Sequence, residues 1–499
     1  MCIRDSAGTG RDRPPIDGTR YDDVVVGAGL TGLATALQLR EAGRSVLVLE
    51  ADADGASASA GSLGVVGLLQ GTVLAHLRRH HSRGLVRGYV DANRDGFDWL
   101  LHFCASAGVP VERVTEHAYA ATPAGLHRLD RVRRAARDAG LPVRDIAEPE
   151  GPAHAVAAIA LDHQALVDPV AVLDALVTAL GAAGAEIRYG VRVTGVRTGS
   201  PAIVTTSAGT VSAENVVLAT AAPILARGLY PAKTRPLTVH GAASPVLEGE
   251  APSGIWTAID AEPRTLRPVT VDGERLLAVS GDAHPAGVGS TGAHEDALVG
   301  WLRTEFHGGE PRALWSGRDL ESDNLVPFVG ALPGGRGHVY FATGFGGWGM
   351  TNAPAAALRI STEILGREKA GWMNVLGHRV TKPADLGRGV RDVAVAARAA
   401  GADLAAAARR RTPIARPAEG TGVLVMRGMQ PVGISTVGAT TRAVAAWGPG
   451  LAGLVRWNDL DAVWESPLDG SRFAPDGRVL AGPAVRNLDT VHKRGAGRH

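Results

Sequence analysis

Three glycines, Gly27, Gly29 and Gly32, stand at G-x-G-x-x-G spacing between a β-branched run, Asp23 to Val26, and an Ala/Leu-rich segment reaching Arg40. Strand, glycine turn and helix in that order give the motif its meaning. The first glycine makes the tight turn, the second lets a pyrophosphate reach the backbone, and the third lets the helix pack on the strand. Free N–H groups and positive potential at the helix amino terminus favour that anion. Gly43 ends the helix, and Ser45 to Leu49 forms a second, wholly apolar strand that stops at Glu50, 23 residues after Gly27. A carboxylate there can accept hydrogen bonds from ribose hydroxyls. An unbroken apolar strand belongs to a parallel sheet covered on both faces. The plainer alternative, that the glycines only pack a buried βα unit, leaves the place of Glu50 unexplained.

The 499 residues allow two or three domains. Glycine is abundant, 65 of 499 or about 13% against an average of ~7%, with no collagen-like period. Basic and acidic side chains nearly cancel, 52 against 50, which argues against a nucleic-acid partner. Cys2 and Cys104 are the only cysteines, too few for a disulfide framework or a thiolate-held cluster. The first 20 residues lack an apolar core and read as a loose tail, not an export signal. Val24 to Leu39 and Leu63 to Leu77 are both short of the ~20 residues a membrane helix needs, so the expectation is a cytoplasmic protein without a membrane span.

Further along, residues 78 to 150 are charged and helical in pattern, apart from a turn near Gly108. His80 and His81 beside Arg78 and Arg79 read as part of a solvated face. After Asp168-Pro169 an Ala/Leu helix leads to short strands at 186–189, 192–196 and 215–219. Residues 234 to 320 alternate short strands with turns, and Val339 to Ala342 is a buried strand running into the glycine-rich segment 344–350. An Ala/Arg helix spans 388–411, and short strands with Gly/Pro turns follow.

The motif alone leaves nicotinamide and flavin open. The second glycine turn, Gly344, Phe345, Gly346, Gly347, Trp348, Gly349, Met350 and Thr351, points to flavin, because N–H groups at such a turn can stabilise charge on a reduced isoalloxazine. With that turn, the elements at 25–32, 166–169, 215–220, 265–267, 315–319 and 322–330 resemble the D-amino-acid oxidase superfamily of FAD-dependent oxidoreductases. The likeness is to the branch with a carboxy-terminal Rieske module. It implies an FAD-binding doubly wound sheet interleaved with a mainly antiparallel β substrate domain, followed by a small all-β module. The implied limits are a tail at 1–20 and an oxidoreductase domain at 21–370. Within it, FAD segments cover 21–80, 155–222 and 325–370, and substrate segments cover 81–154 and 223–324. A helical linker spans 371–417 and a Rieske-like domain 418–490.

The resemblance also assigns residues. Gly27, Ala28, Gly29, Leu30, Thr31, Gly32, Glu50, Val193, Ala219 and Thr220 would hold the ADP half of FAD, with the loop Gly55 to Ser62 and residues 344–351 near the ring. Arg267 could bind a substrate carboxylate through its planar fork, or make an ordinary inter-strand salt bridge. Trp348 could wall the pocket or serve as a core aromatic. Cys104 lies on an apolar helical face and reads as inert, so FAD should be noncovalent. In the tail, Gly448, Gly450, Ser466 and Asp469 occupy the places of the Cys and His ligands of a Rieske centre, so no iron–sulfur cluster is expected. The implied activity is oxidation of a small amine or amino acid to an imine, with oxygen or a quinone as acceptor. A dehydrogenase serving a partner protein and a non-catalytic flavin-binding relative are the alternatives.

Overall fold

The computed structural model describes residues 15–491, except 54–57, 223, 226–229, 231–232, 248–250, 287–290, 378–393, 395–396, 399, 410–415 and 451–452. Its first sheet has eight strands. Phe328–Ala331, Val339–Thr343, Gly209–Leu218, Thr19–Val26, Val46–Leu49 and Glu186–Arg188 lie side by side, and all of these except Phe328–Ala331 run parallel. A hairpin of Val193–Arg197 and Ala202–Thr206 extends antiparallel from Gly209–Leu218. Both faces are covered. Val25 and Val48 pack with Leu33 and Leu37 of the helix Leu30–Glu41 and with Leu173 and Leu176 of Pro169–Ala182. Val24, Leu47 and Leu49 turn the other way, toward Val204, Tyr230 and Phe341. Asp168 caps Pro169–Ala182, accepting from the Val170 and Ala171 N–H groups, with Pro169 at the first helical position where no donor is needed.

The second sheet has nine strands and is mainly antiparallel. Its order is Ala313–Ser322, Thr234–Pro245, Glu274–Pro285, Arg264–Val271, Ile255–Ala258, Val111–Ala120, Ala157–Val167 and Val65–Val66, with Arg144–Ile146 beside Ala157–Val167. Helix Thr291–Phe306 covers one face, setting Leu298, Leu302 and Phe306 against Trp256, Leu266 and Leu277. By strand alternation Glu116, Thr257, Thr265 and Arg267 belong to the opposite face.

Several expectations change. The first strand begins at Thr19, because Thr19 to Tyr21 pair with Val211 to Ala213, and Ile16 is already buried, so the loose tail ends before residue 20. Within 78–150, the helices Val73–His80, Arg83–Ala107 and Pro123–Asp138 flank a strand, Val111–Ala120, that the charge pattern hid. Pairing with Ala157–Val167 on one side and Ile255–Ala258 on the other overrides its local polarity. Ala157–Val167 and Val65–Val66 therefore lie in the second sheet, although the sequence limits put both with the dinucleotide part. Residues 234–320 hold two twelve-residue strands and a helix in place of short strands alone.

Beyond residue 370, residues 400–409 are helical, while 388–393 of the expected helix fall outside the described residues. Gly422–Arg427, Gln430–Val437 and Thr440–Ala445 form one antiparallel sheet, and Arg456–Asn458, Val463–Glu465, Arg472–Phe473 and Val479–Ala481 form another. They close on a core containing Val444, Leu454, Trp464 and Phe473. This module sits on the second sheet, where Arg318 donates to the Gly470 carbonyl and Ser316 Oγ to Asp461. It also reaches the first sheet, where Arg192 donates to the Leu480 carbonyl at 2.8 Å. Among the described residues no helix is long and apolar enough to cross a membrane.

Candidate active site

The parallel strands deliver the sequence motifs to one edge. Val26 aligns with Leu49 and with Leu218, and Leu218 with Phe341, so Gly27, Glu50, Ala219 and the turn after Thr343 share the carboxyl end of the first sheet. Gly27 has φ +106°, and a Cβ there would lie 2.5 Å from the Ala219 carbonyl oxygen. A Cβ at Gly32 would lie 1.9 Å from the Gly27 carbonyl oxygen. Both positions therefore exclude side chains. Gly29, the residue before the helix, differs: among the described residues a Cβ there would meet only Ser59 Oγ, at 3.5 Å, and the ground above it is otherwise clear of them. Ser59 Oγ accepts from the Leu30 N–H at 3.2 Å, which brings part of the 55–62 loop to this helix terminus, while residues 54–57 fall outside the described residues. Glu50 accepts from the Ala28 N–H at 2.8 Å and from the Asp52 N–H at 2.9 Å, which orients its carboxylate along the sheet edge. Val193 is buried at the start of the hairpin, and Thr220 turns the chain by donating to the Ala222 carbonyl at 2.7 Å.

The second glycine turn is fastened to the second sheet. Gly346 N–H donates to the Leu320 carbonyl at 3.0 Å, Glu321 bridges Phe345, and a Cβ at Gly344, φ +84°, would lie 2.9 Å from Ser322 Cβ. The half-buried Asp319 carboxyl takes the Leu320 and Gly347 N–H groups, yet burial pushes it up to about 7. The turn then starts the helix Gly349–Ile364, and a Cβ at Gly349 would meet none of the described residues within 4 Å.

Behind this turn lies a buried polar network absent from the sequence expectations. Thr351 Oγ1 donates to Asn93 Oδ1 at 2.6 Å, and Gln70 Nε2 donates to both, at 3.0 Å to Asn93 and 3.1 Å to Thr351. Tyr89 donates to Gln70 Oε1 at 2.8 Å, and Asn352 Nδ2 donates back to the Tyr89 oxygen at 3.2 Å. Gln70 itself has φ 54°, a left-handed conformation held by this network. Glu116 supports the same segment. Its carboxylate accepts from Leu69 and Gln70 N–H at 3.0 and 3.1 Å, and full burial still pushes it up to about 7. Gly67 leaves room for it, since a Cβ there would lie 2.4 Å from Glu116 Oε2. The spacing of Gly64, Gly67 and Gly71 around Gln70 was the one available sequence signal.

Arg267 and Trp348 come to the same side of the molecule. Trp348 packs with Leu63, Val65 and Ile255, and its Cζ2 lies 3.9 Å from where a Gly71 Cβ would be. Thr257 Cγ2 is 3.1 Å from the same point, and Thr257 Oγ1 lies 3.2 Å from Thr265 Oγ1, two residues before Arg267 on one sheet face. Arg267 is half-buried, its Nε has no hydrogen-bond partner, and burial lowers its pKa from the usual guanidinium value. No carboxylate among the described residues lies within ion-pair distance of it, and Glu112 and Asp168 act on it only at longer range. Cys104 is fully buried, and burial pushes its thiol up to about 11. His81, expected on a solvated face, instead places Nε2 2.8 Å from the Asn324 carbonyl oxygen.

In the carboxy-terminal module the loops bearing Gly448 and Gly450 and bearing Ser466 and Asp469 are neighbours, since a Cβ at Gly453 would touch Leu468 Cδ1 at 2.6 Å. Ser466 Oγ accepts from Leu468 and Asp469 N–H, and Asp469 accepts from Ser471 N–H. Both side chains are thus engaged in shaping their own loop. Among the described residues no group of three His, Cys, Asp or Glu side chains is placed to hold a metal ion.

Comparison with known proteins agrees with this geometry. A Bacillus subtilis protein, YhfW, whose name marks it as a candidate Rieske 2Fe-2S iron-sulfur protein, is 24% identical over 490 residues, covering 95% of this chain and 94% of its own. Glycine oxidase from Geobacillus kaustophilus superposes with a TM-score of 0.58 at 21% identity, over 70% of this chain and 96% of that one. L-amino acid deaminase from Proteus vulgaris gives 0.58 at 16% identity, over 73% and 98%. Residues 22–362 match the family described as DAO, FAD dependent oxidoreductase, and the chain belongs to that family of enzymes.

Proposed function

We propose that this enzyme oxidises the C–N bond of a small amino acid, or another amine bearing a carboxylate, to an imine that water then hydrolyses. The observation that carries this is Arg267: a half-buried guanidinium with an unpartnered Nε, on the sheet face that holds Thr265 and Thr257 beside Gly71 and Trp348. A guanidinium in such surroundings favours a planar anion that meets its fork.

Bound FAD would supply the hydride acceptor. Gly27, Ala28, Gly29, Leu30, Thr31 and Gly32 would take its pyrophosphate at the helix amino terminus, Glu50 its ribose, and Val193, Ala219 and Thr220 would flank the adenosine end. The ground over Gly29 and Gly349, clear among the described residues, fits a flat ligand crossing the sheet edge, while Gly27 and Gly32 let the helix pack close enough to the strand to present its N–H groups there. Gly346 and Gly347 already give their N–H groups to the Leu320 carbonyl and the Asp319 carboxyl, so within 344–351 it is Gly349, Met350 and Thr351 at the helix start that would offer N–H groups to the ring, and the network of Gln70, Tyr89, Asn93, Thr351 and Asn352 holds that turn from behind. Cys104, buried and with its thiol raised, is a poor candidate for a cysteinyl link, and FAD would bind noncovalently.

The carboxy-terminal module acts as a packed cover, since Gly448, Gly450, Ser466 and Asp469 offer no thiolate or imidazole for a cluster. Electrons then leave by oxygen or a quinone. Anaerobic mixing with a panel of amino acids and amines tests the reading. Bleaching by carboxylate-bearing amines, lost with Arg267→Ala, supports it, and bleaching only by amines without a carboxylate overturns it. Reoxidation rates with oxygen and with a quinone then separate oxidase from dehydrogenase.

A further inference from the structure

Helices Val73–His80 and Pro123–Asp138 line a cleft, open to solvent on one side, of about 510 Å³ that has no part in the site above. Six arginines line it: Arg78, Arg79, Arg83, Arg128, Arg131 and Arg134. Asp138 is the one carboxylate in the wall, and it is already shared, with Oδ2 3.3 Å from Arg78 Nε and 3.1 Å from Arg83 Nε. Arg134 turns to Asp130, on its own helix. Arg79, Arg128 and Arg131 have no carboxylate partner among the described residues. The formal excess in this one cavity is five positive charges, although basic and acidic residues balance over the whole chain.

Two further features raise the local potential. Arg83 opens the 25-residue helix Arg83–Ala107, so a cation stands at the positive end of its dipole with no acidic residue in the first turn. Arg128 and Arg131 are three residues apart on one helix and share a face. The basic last turn of Val73–His80 does have a local explanation, since cations suit a helix carboxyl end. That account covers Arg78 and Arg79 but not the four arginines contributed by the other two helices.

We propose that this cavity binds a small, free polyanion carrying two or more linked phosphoryl groups. Guanidinium forks pair bidentately with phosphoryl oxygens, and a compact ligand with three or four negative charges offsets the mutual repulsion of the arginines where a single carboxylate does not. The volume lies within the ordinary range for small-molecule sites, ~300–1,000 Å³.

The test uses the FAD-loaded protein, so that the dinucleotide site is filled, and titrates inorganic pyrophosphate by calorimetry at constant ionic strength. One saturable equivalent is expected. In the double variant Arg128→Gln/Arg131→Gln the affinity should fall by at least ~30-fold, whereas Arg427→Gln, at an exposed arginine of the carboxy-terminal module, should leave it unchanged. If the double variant does not fold, Arg131→Gln alone, at an exposed position, should weaken binding by about 5- to 10-fold. Absence of saturable binding, equal affinity in parent and variant, or binding to phosphatidylglycerol vesicles without binding to free pyrophosphate would each overturn the proposal.

Discussion

Gly29→Ala and Gly32→Ala should fail in different ways. At Gly29 the backbone is extended, φ −78° and ψ 179°, and among the described residues the added Cβ meets only Ser59 Oγ, at 3.5 Å. Ligand-free stability should therefore change by less than ~1 kcal/mol. The methyl group would, however, stand between an incoming pyrophosphate and the N–H groups of the helix terminus. Losing two charge-assisted hydrogen bonds at ~1.5–3 kcal/mol each would weaken FAD affinity by roughly 10²–10⁴-fold. At Gly32 the added Cβ would lie 1.9 Å from the Gly27 carbonyl oxygen and 3.3 Å from Ala219 Cβ. A carbon–oxygen contact needs roughly 3.3 Å, so the helix would have to retreat by roughly 1.4 Å. Backbone displacement of that kind costs ~1–3 kcal/mol or more and should lower the melting temperature of the apoprotein itself. FAD titration into apoprotein, followed by flavin fluorescence, and thermal melts without ligand read the two effects separately. Parental FAD affinity in Gly29→Ala would remove the pyrophosphate from this turn. An apo melting temperature unchanged by Gly32→Ala would refute the close helix–strand contact.

Arg267→Ala should raise KM for a carboxylate-bearing amine by at least ~10-fold at unchanged flavin content, and unchanged kinetics would take Arg267 out of the site. Gln70→Ala should cost ~1–3 kcal/mol in thermal unfolding, because it strands Tyr89, Asn93 and Thr351 donors or acceptors in the interior; a neutral effect would show that the network is not a support. His240 is fully buried beneath the carboxy-terminal module, with Nε2 3.0 Å from His284 Nε2, and desolvation, then the neighbouring histidines, hold its pKa down at about 4. The unfolded chain takes up the proton first, so stability should be unaffected above about pH 6.5 and fall as pH drops toward 4, by up to ~3 kcal/mol, and His240→Leu should flatten that slope in melts between pH 7 and 4. The purified protein should contain no acid-labile sulfide, even after anaerobic reconstitution with iron and sulfide; an iron–sulfur signal on reduction would refute the reading of residues 448–469.

Local sequence determined the dinucleotide half almost completely. The strand, glycine turn and helix at 19–41, the apolar strand ending at Glu50 and the Asp168 cap each depend on residues within a few positions of one another, and periodicity reports that kind of burial directly. The buried strand at 339–342 and the second glycine turn were legible for the same reason. The substrate half was not. Val111–Ala120 is a strand only because Ala157–Val167 and Ile255–Ala258 flank it, and its own charges point the other way. Gln70 reaches Thr351 across 281 residues, Glu116 meets Leu69 across 47, and Asp319 meets Gly347 between the two sheets. Chain order carries no trace of such pairings, because the burial of a single polar side chain depends on which distant backbone packs over it. Arg267 shows the division most plainly: the sequence supplied a guanidinium on a strand, and only the fold decided that it stays half-buried, with its Nε lacking a hydrogen-bond partner, on the face that meets Trp348.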